Sequence, residues 1–205
     1  MNRLLRQLDV EQKERIKRWV RPIYDARDWA RIVVYEECER FLRSLGPEKL
    51  SALEISSGRR WQGFGFKSFS DTHYPEFDIC TQKLDQQFDV IIADQVFEHL
   101  VAPRRAAENV HAMLKVGGYF VITVPFMLRI HQSPKHDCQR WSEEGLRFFL
   151  AECGFEAEQV QTGAWGNRAY VKSHLNGKWP RRGFFGSLRN EPMFPVVVWA
   201  FAKKV

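Results

Sequence analysis

Residues 51–58 read Ser-Ala-Leu-Glu-Ile-Ser-Ser-Gly, and this stretch decides the fold that the sequence predicts. Its first five residues are mostly apolar and predict a short buried strand, which Glu54 interrupts near its end. Residues 56–58 then predict a tight turn that lets a ligand approach the backbone closely. A carboxylate in a buried strand is costly unless another group pairs with it. Open α/β sheets bind nucleotide-like ligands at such turns, beside the carboxyl ends of their strands.

Two further strands are predicted by apolar runs, and polar side chains follow each of them. Residues 88–93 form a near-continuous apolar run that ends directly before Asp94 and Gln95. Residues 119–124 form another such run, and the segment after it carries His131. Because the carboxyl ends of parallel strands meet at one edge of a sheet, we expect these polar groups to surround a single pocket.

Helices are predicted between the strands, and this alternation is typical of a mostly parallel sheet with helices on both faces. Apolar residues at helical spacing predict helices over residues 26–45, 103–116 and 142–153. Shorter apolar segments predict a strand end at 77–79 and strands over 155–162 and 195–201. The last of these strands can pair antiparallel with its neighbour.

Two helices are predicted ahead of the first strand, over residues 10–21 and within 26–45. We interpret residues 1–47 as an N-terminal helical cover over one face of the sheet. The cover belongs to the same domain as residues 48–205 in this interpretation. The alternative is a lid over the pocket, with Trp19 and Tyr24 near the ligand.

Composition places the chain among globular proteins of one domain. Its 205 residues suffice for an independent core, and no apolar run is long enough to span a bilayer. The net charge of +6 comes from scattered basic residues without a nucleic-acid-binding motif, so we interpret them as a solvated surface. The four cysteines lack paired spacing and the N-terminus lacks a secretory signal, which together predict reduced thiols and a cytoplasmic location.

Several motifs of the chain resemble those of class I S-adenosylmethionine-dependent methyltransferases, in particular their small type-11-like members. Residues 53–58 resemble the first motif of that family. The fourth-strand motif is matched by residues 88–92 and 95–100, and the entry to the fifth strand by residues 113–125. The later segment is matched by His131, Pro134, Asp137, Arg140-Trp141 and Gly154-Phe155. The resemblance covers roughly residues 50–160.

The resemblance implies a Rossmann-like, doubly wound sheet of seven mostly parallel strands, with S-adenosylmethionine as the cofactor. Glu54 would organise the first loop or accept a hydrogen bond from the cofactor's amino group, and Asp78 would accept one from the adenine. Asp71 or another group would hold the ribose hydroxyls. The implied cofactor-binding residues are Glu54, Ile55, Ser56, Ser57, Gly58, Asp78, Ile79, Asp94, Gln95 and Val96.

The candidate catalytic residues are His99 and His131, because each follows a strand on the pocket side of the sheet. A neutral imidazole can take a proton from a hydroxyl or an ammonium, although an acceptor that is already nucleophilic needs no base. The His and Cys residues within 131–138 match no standard zinc spacing, so the sequence predicts no metal site. We interpret Asp137 and Arg140 as a buried ion pair that fixes this loop.

The sequence thus predicts a methyltransferase that acts on an oxygen or nitrogen of a small-molecule acceptor, either a sugar or a secondary metabolite. Trp165 and Trp179 would line the acceptor pocket or pack into the core. A nucleic-acid or protein methyltransferase is an alternative, although residues 94–97 lack the signature of enzymes that methylate nucleic-acid amino groups. A non-catalytic binding scaffold is another, because Ser56 and Ser57 replace glycines usual in the first motif.

Overall fold

The computed structural model describes residues 28–56, 58–131, 136–176 and 187–205, and every structural statement below concerns these residues. Several sequence predictions lie outside the described residues. They are the helix over residues 10–21, the ligand contacts of Trp19 and Tyr24, the cofactor contact of Ser57 and the position of Trp179.

Six strands form one sheet in the described part of the chain. They are β1 (Ser51–Ile55), β2 (Ser68–Thr72), β3 (Phe88–Asp94), β4 (Leu114–Pro125), β5 (Val160–Trp165) and β6 (Val197–Lys203). Their order is β2-β1-β3-β4-β6-β5. The first four pair in parallel, whereas β6 runs antiparallel to both β4 and β5, as predicted for the last strand. The chain crosses from β2 to β3 over β1, which creates a switch point between β1 and β3.

The sheet described here has one strand fewer than the seven predicted. The predicted strand end at 77–79 is wrong, because the carbonyl oxygen of Asp78 accepts hydrogen bonds from the amides of Thr81 (3.0 Å) and Gln82 (2.8 Å) and closes a turn. The second strand lies upstream at β2, in a polar and aromatic stretch without a clear apolar alternation. Only residues 73–87 connect β2 to β3, too few for a further helix and strand.

Helices cover both faces of the sheet, as predicted. They are α1 (Trp29–Ser44), α2 (Pro103–Met113), α3 (Glu143–Glu152) and α4 (Arg168–Leu175). Apolar residues of α1 and α4 pack on one face, and those of α2 and α3 pack on the other. Helix α1 begins later than predicted because Asp28 caps it, accepting a hydrogen bond from the amide of Arg31 at 3.2 Å.

The central strand β3 is buried on both faces, which explains its continuous apolar sequence. Val90 and Ile92 face the α1 side, whereas Ile91 and Ala93 face the α2 side. Because side chains alternate along a strand, Asp94 at the carboxyl end is directed toward α1. This alternation decides which helix can reach the end of the strand.

All four cysteines are free thiols, in agreement with the sequence prediction. Among the described residues, none of the helices combines the length and the apolar character that crossing a bilayer requires. The predicted cytoplasmic location stays a prediction.

Candidate functional site

Two turns at the carboxyl edge of the sheet adopt strained backbone conformations. Ser56 follows β1 with φ of 53°, and Gln95 follows β3 with φ of 56°. Residues other than glycine seldom adopt the left-handed region, and such conformations concentrate at ligand sites. The two turns flank the switch point of the sheet, where open α/β proteins bind their ligands.

A cavity of about 480 Å³ lies at this edge, and we call it the switch-point cavity. Its volume falls within the usual range for ligand pockets. Among the predicted cofactor-binding residues, those that line it are Ser56, Asp78, Ile79, Asp94, Gln95 and Val96. The sequence therefore identified residues from three separate segments that the fold brings around one cavity.

The other predicted cofactor-binding residues lie behind this lining. Glu54 is buried, and its Oε1 accepts a hydrogen bond from the amide of Gly58 at 3.3 Å. This contact agrees with the expectation that Glu54 organises the first loop. Ile55 packs into the core on the α2 side and is not among the residues that line the cavity. A Cβ atom at Gly58 would meet no atom within 4 Å, so open space adjoins the loop there.

Asp78 and Asp71, the predicted partners of the adenine and of the ribose hydroxyls, occupy different positions. Asp78 lines the cavity, and its Oδ1 accepts a hydrogen bond from the amide of Cys80 at 2.9 Å, so it also holds its own turn. Asp71 lies opposite Glu54 in the sheet register. Its carboxylate is 3.4 Å from Nε2 of His73, and it is His73 that reaches the cavity lining.

Asp94 is fixed by groups from α1 and β4. Its Oδ2 accepts a hydrogen bond from the hydroxyl of Tyr35 (2.9 Å), and its Oδ1 accepts one from the hydroxyl of Thr123 (2.6 Å). Arg31 contacts the Tyr35 hydroxyl and lies 3.7 Å from Asp94. The amide of Gln95 donates to the carbonyl oxygen of Thr123 at 3.0 Å, which holds the strained turn. Burial raises the pKa of Tyr35, so its hydroxyl keeps the proton that it donates.

A second cavity of about 370 Å³ adjoins α1, and we call it the helix-side cavity. Its polar and charged lining consists of Asp28, Arg31, Gln95, Glu98, His99, His131 and Tyr170. Gln95 and His99 line both cavities. The two cavities therefore meet at the turn that follows β3.

Both candidate catalytic histidines lie together beside Glu98. The rings of His99 and His131 are 5.1 Å apart between centroids, and Nε2 of His99 is 3.6 Å from Oε1 of Glu98. The backbone carbonyl of His136 lies 2.5 Å from Nδ1 of His99. Since a carbonyl only accepts, Nδ1 carries the proton and Nε2 is directed elsewhere. Burial raises the pKa of Glu98 to about 8 and lowers the pKa of His131.

The predicted ion pair between Asp137 and Arg140 is present. Arg140 donates from both terminal nitrogens to the carboxylate, with Nη2 at 2.7 Å from Oδ2. Asp137 also accepts a hydrogen bond from the amide of His131 (2.7 Å) and lies 3.2 Å from its Nδ1. Burial alone would raise the pKa of Asp137, but the bonds from Arg140 and from the His131 amide outweigh it and lower the pKa.

Sequence reasoning missed several residues of this region. Tyr35 and Arg31 were not singled out, although their spacing of four places them on one face of a helix. Glu98 was passed over beside His99, although an acidic residue in an apolar segment signals a functional carboxylate. Of the two alternatives predicted for Trp165, the structure shows packing in the core, where its Nε1 donates to the carbonyl oxygen of Leu188 at 2.8 Å.

Comparison with known proteins is consistent with this geometry. A family profile described as a methyltransferase domain matches residues 17–160. An S-adenosylmethionine-dependent methyltransferase from Mesorhizobium loti is 13% identical with a TM-score of 0.54, over 80% of this chain and 96% of that one. An S-adenosylmethionine-dependent methyltransferase from Thermotoga maritima is 15% identical with a TM-score of 0.52, over 82% of this chain and 98% of that one. Haemonchus contortus phosphoethanolamine N-methyltransferase 2, in complex with S-adenosylmethionine, is 13% identical with a TM-score of 0.53. That match covers 83% of this chain and 52% of the other. No curated protein sequence gives a significant match.

Proposed function

Because this chain belongs to the family of S-adenosylmethionine-dependent methyltransferases, we propose that its switch-point cavity binds that cofactor and its helix-side cavity binds the methyl acceptor. The proposal is carried by one observation, that Gln95 and His99 line both cavities. A methyl donor on one side of this turn would face an acceptor on the other. Alignment of two reactants in this way contributes up to about 7–11 kcal/mol to catalysis.

The lining of the switch-point cavity fits an adenosyl group. Phe77, Ile79 and Val96 supply apolar walls, and Asp78 supplies a carboxylate. Asp78 would accept a hydrogen bond from the adenine amino group, with Ile79 against the ring. The backbone of the turn at Ser56 would face the ribose and the methionine part. When bound, S-adenosylmethionine supplies an activated methyl group that a nucleophile displaces directly from sulfur.

The protein's own contribution to the reaction is to hold the acceptor and remove its proton. His99 presents Nε2 to the region of Glu98, because Nδ1 is engaged by the carbonyl of His136. His131 lies beside it, and burial lowers its pKa, which favours the neutral imidazole that can accept a proton. We propose His99 and His131 as the catalytic residues on these grounds.

The helix-side cavity suits a small acceptor that combines polar groups with some apolar surface, since Val34, Leu128 and Val197 also line it. Its volume of about 370 Å³ is near the lower end of the range for ligand pockets. Asp28, Arg31 and Glu98 provide charged and hydrogen-bonding groups for the hydroxyls or amines of a small molecule. We therefore propose transfer to an oxygen or nitrogen of a sugar or secondary metabolite. Of the predicted helical cover over residues 1–47, the described part is α1, and we propose that it covers one face of the sheet in one domain with residues 48–205.

Calorimetry with S-adenosylmethionine tests the cofactor site. We expect Asp78→Ala to weaken binding about tenfold or more, because a hydrogen bond to a charged group contributes roughly 1.5–3 kcal/mol. Asp85→Ala is the matched control, since Asp85 is exposed and does not line the cavity. No binding by the wild-type protein would refute the proposal, and unchanged binding by Asp78→Ala would remove Asp78 from the site.

Product formation tests the acceptor site. A panel of small hydroxyl and amine compounds is incubated with enzyme and cofactor, and S-adenosylhomocysteine is measured. Once an acceptor is found, we expect His131→Ala to lower turnover more than it lowers cofactor affinity. Equal turnover in wild type and His131→Ala would exclude His131 from the reaction. Methylation of RNA, DNA or protein with no small-molecule product would favour the alternative substrate classes.

A further inference from the structure

Three potential metal ligands converge on the helix-side cavity. Glu98, His99 and His131 each offer one ligand atom, and these atoms all lie within 4.8 Å of one another. All three residues line the cavity. Glu98 is fully buried and the two histidines are partly buried. The sequence places His131 far from the other two, so the fold is what assembles the group.

Glu98 has an unusual environment for a buried carboxylate. Within the part of the chain that the structure describes, neither of its carboxylate oxygens has a hydrogen-bond partner. The imidazole Nε2 of His99 is 3.6 Å from Oε1, too far for a hydrogen bond. A buried carboxyl group without a hydrogen-bond partner is costly, and its charged form costs more still unless it is paired or coordinates a metal. A cation held by Glu98 would supply that compensation.

Both histidines have a second partner of the kind found around protein-bound metals. Nδ1 of His99 donates to the carbonyl oxygen of His136, and Nδ1 of His131 lies 3.2 Å from the carboxylate of Asp137. Arg140 holds that carboxylate in turn. Metal-binding histidines almost always engage one ring nitrogen in this way, which fixes the ring while the other nitrogen meets the ion.

We propose that Glu98, His99 and His131 bind a divalent transition-metal ion, with its remaining coordination positions open toward the helix-side cavity. Two imidazoles and one carboxylate suit Zn²⁺, Fe²⁺ or Mn²⁺ better than Mg²⁺, which prefers oxygen ligands. Ligand atoms that share such an ion at about 2.1 Å stand roughly 3–3.5 Å apart, so the three side chains close around it. This proposal departs from the sequence prediction of no metal site.

The ion would act on the acceptor. When bound, it would lower the pKa of a coordinated acceptor hydroxyl, whose proton would then pass to solvent. With the ion bound, His99 and His131 would contribute as its ligands, in place of the base role that we propose for them without metal. This catalytic role rests on the proposed function, whereas metal binding by the three residues does not.

Metal titration of the full chain tests the site. Protein freed of metal with EDTA is titrated with Zn²⁺ by calorimetry and with Co²⁺ by visible absorption, which reports ligand geometry. We expect one equivalent to bind, and Glu98→Gln and His131→Ala each to weaken binding at least about 100-fold. His111→Ala is the matched imidazole control, because His111 packs against Phe155 away from the cavities. The His111→Ala variant should bind Zn²⁺ with the affinity of the wild type.

Absence of Zn²⁺ and Co²⁺ binding by the wild type at about 1 mM metal would overturn the proposal. Wild-type affinity for Zn²⁺ in Glu98→Gln would overturn it as well. Because this variant keeps the shape of the side chain, it serves as the test even if His131→Ala fails to fold. Binding of S-adenosylmethionine is measured on the same metal-free samples. Cofactor binding without metal binding refutes the metal site alone, and metal binding without cofactor binding refutes the proposed function alone.

Discussion

Replacing Tyr35 with phenylalanine removes the hydroxyl that links α1 to the end of β3. That hydroxyl donates to Asp94, whose side chain is only 11% exposed, at 2.9 Å. A hydrogen bond to a charged group contributes roughly 1.5–3 kcal/mol, and Asp94 keeps its bond from Thr123. We therefore expect Tyr35→Phe to lower the free energy of unfolding by about 2 kcal/mol. In a chain of this size, the melting temperature should fall by about 4–8 °C.

A double-mutant cycle isolates this contact from other effects of the substitution. Urea unfolding is followed by tryptophan fluorescence for the wild type, Tyr35→Phe, Asp94→Ala and the double variant. In the Asp94→Ala background the hydroxyl has lost its acceptor, so Tyr35→Phe should cost less than about 0.5 kcal/mol. Tyr119→Phe is the control, because no hydrogen bond of the Tyr119 hydroxyl is found among the described residues, and its effect should stay within about 0.5 kcal/mol.

Two results would contradict this reasoning. A Tyr35→Phe protein as stable as the wild type would show that the bond to Asp94 contributes nothing in solution. An equal loss in the presence and absence of Asp94 would show that the hydroxyl acts through another partner, with Arg31 the first to test.

Arg140→Ala should lower the free energy of unfolding by about 3–5 kcal/mol, measured by urea denaturation, because it leaves the Asp137 carboxylate buried without the Arg140 guanidinium. Gly166→Ala should cost about 3 kcal/mol or more, since its Cβ would lie 1.9 Å from a backbone oxygen, whereas Gly63→Ala meets open space and should be nearly neutral in the same assay. In metal-free protein the folded chain keeps the Glu98 proton up to a pKa of about 8, whereas the unfolded chain releases it near 4.5. Stability from this group therefore falls as pH rises, by roughly 3–4 kcal/mol between about pH 5 and 8. The free energy of unfolding of Glu98→Gln, measured by urea denaturation in EDTA, should not show this decrease between about pH 5 and 8.

The parts of the fold that could be predicted from sequence are those set by continuous apolar runs. Strand β3 is buried on both faces, so its sequence alone predicted it within one residue. Strand β2 is an edge strand with exposed and half-buried residues, and its sequence carries little of that signal. The sequence therefore placed a strand end at 77–79, downstream of the observed β2. Asp78 nevertheless lines the predicted cavity, because the turn that it stabilises lies at the same edge of the sheet.

The candidate site shows the same division. Residues that follow strands directly, such as Ser56 and Gln95, could be predicted because their position in the sheet decides their surroundings. Residues on helices could not, because Tyr35 reaches Asp94 across 59 positions of sequence. The proximity of Glu98 to His131 likewise depends on the path of the loop after β4, which local sequence does not encode.

These contacts have a consequence for how the two cavities work together. Arg31 lines the helix-side cavity, and Asp94 lines the switch-point cavity, while Tyr35 contacts both residues. An acceptor that carries a negative group would draw on the Arg31 guanidinium and weaken its attraction to Asp94. A neutral or cationic acceptor would leave that attraction intact. Since these contacts join the two cavities, acceptor charge should set how strongly acceptor and cofactor affect each other's affinity.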